Sequence, residues 1–151
     1  MSAVLKSVAA LTLCASLLSG CINMPPGHLY PVQGALAAQT PTPIYSVSLS
    51  GGLSSGTVSA SLTNGDVTGA WHRVSPTDTS AGNLAAQWDA VYGQGYFLAN
   101  VLGNANFCRA ALIGAQGLHL DVEFVIIPVG QVADGKGVAA DNQGNLYKLT
   151  F

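Results

Sequence analysis

The stretch Thr57-Val58-Ser59-Ala60-Ser61-Leu62-Thr63-Asn64-Gly65-Asp66-Val67-Thr68-Gly69-Ala70-Trp71 decides how the chain folds. Val58, Ala60 and Leu62 alternate with Thr57, Ser59, Ser61 and Thr63, which gives a strand one apolar and one hydroxylated face. Asn64-Gly65 interrupts the pattern. An Asn-Gly pair between alternating runs predicts a type I′ hairpin turn, because both central residues need positive φ. With Asn64-Gly65 as the loop, Thr63 faces Asp66 and Leu62 faces Val67. Gly69 and Trp71 then fall on the same face as Leu62.

The same period continues outward. Upstream, Tyr45, Val47 and Leu49 share one face and Ser46, Ser48 and Ser50 the other, with a turn at Gly51-Gly52. Downstream, Ser75 to Gly82 reads as a loop, and Leu84, Trp88, Val91 and Tyr92 follow at helical spacing. Asp78, Thr79 and Ser80 offer N-caps and Gly93 a C-terminal stop, so a helix of roughly three turns is predicted to lay Trp88 over one end of a sheet. Strands are predicted again at Tyr96 to Leu102, at Phe107 to Ile113, and at Leu118 to Ile127, where Pro128 ends the run. A last hairpin pairs Gly137 to Ala140 with Leu146 to Phe151. The result is a mainly β chain: an antiparallel sandwich or small barrel of about eight short strands with one short helix.

The leader reads independently of this. Lys6 precedes a largely apolar run of twelve residues, Ser7 to Leu18, followed by Ser19, Gly20 and Cys21. A basic start, a short apolar core and small residues make a secretory signal. The run is shorter than the about 20 residues of a membrane span. Leu18-Ser19-Gly20-Cys21 resembles the lipobox of bacterial prolipoproteins at all four positions. The resemblance implies cleavage before Cys21 and diacylation of its sulfur, with Leu18, Ser19 and Gly20 as the processing signal. Two or more acyl chains hold a protein stably on a bilayer, where one is marginal. By the same resemblance, Ile22 after the lipidated residue points to the outer membrane of a cell that has two. His28 to Gly34, with its Tyr30-Pro31-Val32-Gln33-Gly34, is similar to small bacterial lipoproteins that carry Tyr-Pro-x-Gln-Gly after the tether and bring no known activity. The expected organisation is a leader over 1–20, then the lipidated Cys21, a Pro-rich tether and a possible edge strand over 21–43, and a single β domain over 44–151.

Loss of the leader removes Lys6 and leaves seven acids against four bases, a formal charge of −3. That balance offers no basic patch for nucleic acid. Charged residues are only 8% of the chain, so hydroxyl and amide side chains do most of the solvating. Cys14 leaves with the leader and Cys21 carries lipid, so Cys108 has no intramolecular disulfide partner.

Few residues suggest chemistry. His119, Asp121 and Glu123 project from one face of one strand and are the weak candidates for metal or acid/base work, if His72 or Asp66 lies alongside. One strand supplies too few convergent ligands, so a solvated face is the plainer reading and no metal or cofactor is expected. Cys108 with a histidine makes a formal nucleophile pair, but its alternating strand predicts a small buried side chain. No Gly-x-Ser-x-Gly elbow occurs, and Gly51 to Gly56 lacks the Lys-Ser/Thr of a phosphate loop. Trp71, Trp88, Tyr92, Tyr96 and Phe97 could line a pocket for an apolar ligand or a sugar ring. Tyr147, Leu149 and Phe151 resemble the closing strand of outer-membrane barrels, although most runs are shorter than the 9–11 residues of a spanning strand.

The expectation is therefore a non-enzymatic domain, held to a cell or outer membrane by lipid on Cys21 and facing the periplasm or the surface, with a structural or binding role. Its partner is a protein or a small apolar ligand. The alternatives are a carrier of a small apolar ligand or lipid, and a lipidated outer-membrane β-barrel.

Overall fold

Eight antiparallel strands close into one barrel in simple chain order, each hydrogen-bonded to its sequence neighbours, with the last paired to the first. The computed structural model describes residues 24–52, 54–78, 84–129 and 132–151. The leader and Leu18, Ser19, Gly20 and Cys21 lie outside them, as do the cap residues Thr79 and Ser80. The strands are β1 (Gly27–Gln33), β2 (Tyr45–Gly51), β3 (Ser55–Leu62), β4 (Gly65–Arg73), β5 (Phe107–Gly114), β6 (His119–Val129), β7 (Val132–Asp141) and β8 (Leu146–Thr150). Two short helices, α1 (Ala85–Tyr92) and α2 (Tyr96–Asn100), fill the connection from β4 to β5.

The alternating residues point where their pattern sends them. Val47, Val58, Ala60, Val67, Trp71, Ala110, Leu112, Leu120, Val122, Phe124, Tyr147 and Leu149 are buried together inside the barrel. An eight-stranded barrel is just wide enough for its own side chains, and this one is filled. The Trp71 ring meets Phe124 edge-on at 5.9 Å, Phe124 meets Phe151 at 5.7 Å, and Tyr45 meets Tyr147 at 6.2 Å. At the Trp71 end, the gap beside Leu49 and Ile126 measures only about 10 Å³. Gly56 makes this packing possible, since a Cβ there would collide with Ser50 O and lie 2.6 Å from Trp71 Nε1. The outer face carries exposed Ser46, Ser48, Thr57, Ser61, Asp66, Thr68, His72 and Lys148. An apolar inside and a polar outside is the reverse of a membrane-spanning barrel, whose apolar band faces lipid.

The β3–β4 hairpin forms with a different register from the expected one. Leu62 pairs with Gly65, Ser61 with Asp66 and Ala60 with Val67, so the loop is Thr63-Asn64. Positive φ falls on Gly65 (122°) and not on Asn64. The type I′ geometry needs positive φ at two consecutive residues, and here only the glycine takes it. The shift is two residues along one strand, so parity is kept: Gly69 and Trp71 still face inward with Leu62.

Three other elements differ from expectation. Tyr96 to Leu102 is not a strand: Tyr96–Asn100 is helical, and Val101 and Leu102 lie in the turn that follows. The aromatic and branched residues of this stretch suit a sheet, but the Asp89 carboxylate accepts hydrogen bonds from Gly95 N (3.0 Å) and Phe97 N (2.9 Å) and starts a helix there. Those bonds hold the Asp89 carboxyl below the usual carboxylate range, Phe97 contributing most. Pro128 does not end β6, which runs on to Val129; β5 has already stopped at Phe107 opposite Val125, so Pro128 is paired on one side only. Finally, β1 is not a free edge within a tether. It pairs with β8 from His28 to Gln33 and with β2 from Gly27 to Leu29. Pro31 is accommodated past the end of the β1–β2 ladder, next to a bulge in the β1–β8 ladder.

Candidate functional site

The row His119, Asp121, Glu123 does lie on one face of β6, the outer one, but its members do different things. His119 Nε2 sits 3.2 Å from Asp121 Oδ1, and both side chains are close to half exposed. Glu123 is 2% exposed. No group of three or more His, Cys, Asp or Glu converges among the described residues, and His72 lies across β4–β5 from this row, opposite Arg109.

Glu123 is buried because a second layer covers it. Its Oε1 accepts from Arg109 Nε at 3.0 Å and from Leu84 N at 3.4 Å, and its Oε2 accepts from Trp88 Nε1 at 3.0 Å. One carboxylate therefore ties the barrel wall to both ends of the first helical turn. Around it Val74, Leu84, Trp88, Phe97, Val101, Phe107, Val125 and Val138 form a second apolar cluster outside the barrel. The Arg109 guanidinium also lies 5.0 Å from the Phe107 ring. Trp88 thus packs on the outer wall formed by β5, β6 and β7, not over an end of the sheet. The helix that carries it is shorter than the expected three turns, and its N-cap residue is Leu84, whose side chain makes no capping bond.

The aromatic set divides. Trp71 belongs to the barrel interior, where its Nε1 donates to Ser50 O at 3.0 Å. Trp88, Tyr92 and Tyr96 come together outside: Tyr92 and Tyr96 stack at 4.9 Å, and Trp88 lies nearly parallel to Tyr96 at 6.0 Å. Tyr92 Oη donates to Gly137 O (3.1 Å) and Leu149 O (3.4 Å), which fixes the stack on β7 and β8. Burial pushes the Tyr92 hydroxyl up to about 12. Two ammonium groups flank the stack, Lys136 Nζ 5.7 Å from the Tyr96 centroid and Lys148 Nζ 5.7 Å from that of Tyr92. Neither has a carboxylate within ion-pair distance among the described residues.

Between α2 and the wall lies a cleft of about 160 Å³, lined by Trp88, Tyr96, Asn100, Asn104, Ile127 and Lys136. Its lining combines aromatic and aliphatic side chains with two carboxamides and a lysine. Of its lining, sequence reasoning named Trp88 and Tyr96 as pocket residues but missed Asn100, Asn104, Ile127 and Lys136, although two signals point to the place. Phe124-Val125-Ile126-Ile127 breaks the alternation of β6, and a strand apolar on both faces must be covered on both. Lys136 and Lys148 also sit on either side of the β7–β8 turn, so the hairpin brings them together: Val138 opposes Lys148 and Lys136 opposes Thr150.

A second cleft of about 210 Å³ opens at the other end of the barrel, among the turn residues Asn64, Gln116, Asn142 and Gln143. The Asn64 amide donates to Gln143 Oε1 at 2.9 Å across its mouth, and the cleft has no ionisable lining residue.

Cys108 is buried inside the barrel, its Sγ 3.5 Å from Asn106 O. Burial pushes its thiol from 9.0 up to about 11, against the pull of the Arg73 guanidinium. A thiolate is the reactive form, so Cys108 in the folded protein is expected to resist iodoacetamide at pH 8 and to react once the chain is unfolded. The raised pKa fixes the sign of a stability effect. The unfolded state releases the proton first, so the Cys108 contribution is complete below pH 9.0 and is lost as pH rises through about 11. Tyr92 acts in the same direction, from 10.0 to about 12. Melting temperature should therefore fall across that alkaline window; a flat profile would show both groups to be solvated.

Comparison with protein-family models, with curated proteins and with solved structures gives no match.

Proposed function

We propose that this chain is a non-catalytic binding domain of the cell envelope, tethered by lipid on Cys21, in which a filled barrel serves as scaffold and the cleft under α2 receives the ligand. The cleft is the observation that carries the reading. Among the described residues the barrel interior is packed with its own side chains, which favours the outer wall for a carrier role too. There the Glu123 clamp fixes Trp88 and α1 on the wall, beside two amides and an ammonium that has no carboxylate partner among the described residues, and a site on a rigid wall needs little ordering when a ligand arrives.

The lipobox residues Leu18, Ser19, Gly20 and Cys21 support the tether. Five residues, Ile22 to Pro26, separate Cys21 from β1, and they span at most about 20 Å when extended. The barrel end that carries the β6–β7 turn, the helical connection and the C-terminus would then sit close to the membrane surface. The polar outer face supports a barrel that stands beside the bilayer instead of within it.

Cys21→Ser tests the tether. The variant is expected to move from the membrane pellet to the soluble fraction with its melting temperature unchanged. A variant that stays fully membrane-bound would mean that something other than lipid holds the protein, and the tether would have to be given up.

A further inference from the structure

We infer that the cleft beside Tyr96 binds a single sugar ring bearing a carboxylate, with Lys136 as the residue that selects the acid. This assignment rests on the cleft being the binding site proposed above, and it names the ligand class.

Size comes first. Drug-sized ligands occupy pockets of roughly 300–1,000 Å³, while an enclosed space of about 150 Å³ holds one benzene ring. At about 160 Å³ the open cleft matches the size of one ring. Its walls then choose the kind of ring. Tyr96, Ile127 and the buried Val125 form the apolar part of the lining. The Tyr96 ring is stacked on Tyr92, so what the cleft offers the C–H groups of a saturated ring is chiefly the aliphatic surface of Ile127 and Val125.

The rest of the lining supplies polar groups. Asn100 Nδ2 donates to Tyr96 O (3.2 Å), and Asn104 Nδ2 donates to Asn100 O (3.0 Å). Each amide nitrogen has a second N–H, and Asn100 also has its Oδ1. Hydroxyl groups, which both donate and accept, match that set. Asn104 Oδ1 is already held by Asn106 N at 2.9 Å, which orients its amide.

Charge makes the final selection. The chain after the leader is net acidic, so its long-range field repels anions. Lys136 runs against that field. Its nearest acid along β7, Asp134, has Oδ1 engaged with Gly135 N at 2.7 Å. Arg109, by contrast, is already paired with Glu123. An ammonium without a carboxylate partner, beside a ring-sized cleft lined with amides, fits a carboxylate on the ring. Lys148 does not line this cleft, since its ammonium lies over Tyr92.

The test is a titration of the full-length protein in a sugar-free detergent, followed through the NMR shifts of Tyr96 and of Asn100 and Asn104. The probes are glucuronate, glucose, benzoate and inorganic phosphate. Saturable shifts with glucuronate alone are expected. Lys136→Gln should weaken that binding by at least about tenfold, the scale of one charge-assisted hydrogen bond, while Lys148→Gln leaves it unchanged. Unaltered melting temperatures in both variants separate lost binding from lost folding. Glucose binding as tightly as glucuronate would remove the acid from the assignment. Benzoate or phosphate binding equally well would overturn the sugar and leave the cleft a general anion site. No shift with any probe would overturn both the ligand class and the binding site it rests on.

Discussion

Glu123→Ala is expected to lower the unfolding free energy by about 3–5 kcal/mol, the range seen when one partner of a buried ion pair is removed. The side chain is 2% exposed and accepts from three donors: Arg109 Nε, Trp88 Nε1 and Leu84 N. Alanine leaves all three unsatisfied on a dry surface, and the Arg109 terminal nitrogen Nη2 is already buried without a partner. The damage should be uneven. The barrel ladders use only the Glu123 backbone, whereas its side chain holds α1 to the wall. Trp88 emission should therefore shift to the red at denaturant concentrations where the β signal by circular dichroism is intact. Glu123→Leu combined with Arg109→Leu should recover only the part of the loss due to the stranded guanidinium, because Trp88 Nε1 and Leu84 N still lack their acceptor. A single alanine variant that melts like the parent would show that helix and wall are not joined at this carboxylate.

Trp71→Ala is expected to cost about 3–5 kcal/mol, as for other large aromatic side chains removed from a core. The ring is 2% exposed, fills the barrel beside Phe124 and donates to Ser50 O. Since the barrel has no slack, the vacated volume cannot be filled without moving strands. Trp71→Phe keeps most of the ring and loses the hydrogen bond, so it should cost nearer 1 kcal/mol for the bond, plus the smaller void. Guanidinium titration of the three proteins measures both differences. Equal midpoints for Trp71→Ala and the parent would place the ring at the surface and make the inward parity of β4 wrong.

What the sequence discloses is parity. Val58, Ala60 and Leu62 are found inside, as are Leu118, Leu120, Val122, Phe124 and Ile126, because a period of two assigns faces whatever the pairing. The misplaced turn at Asn64-Gly65 shows how robust this is: the register moved by two residues and no side chain changed sides. Alternation does not say how far a sheet continues or whether it closes, so sandwich and barrel read alike. It also does not say which outward residues are covered later. Glu123 has the same spacing as His119 and Asp121, yet only Glu123 lies beneath α1, a segment more than 30 residues earlier in the chain. Tyr96 to Leu102 failed for a related reason. Two bonds from Asp89 outweigh the strand preference of those residues, and a sequence pattern does not show that the Asp89 carboxylate will be within reach.

Closure of the barrel through β1 and β8 has a consequence for when the protein can fold. His28 and Thr150 are ladder partners, so the ring forms only by joining strands that lie far apart in sequence. Loop-closure entropy grows slowly with length, and topologies rich in distant pairings fold slowly for their size. A chain in which β8 has not yet docked has no partner for one whole side of β1, so the barrel stays open until that last pairing forms.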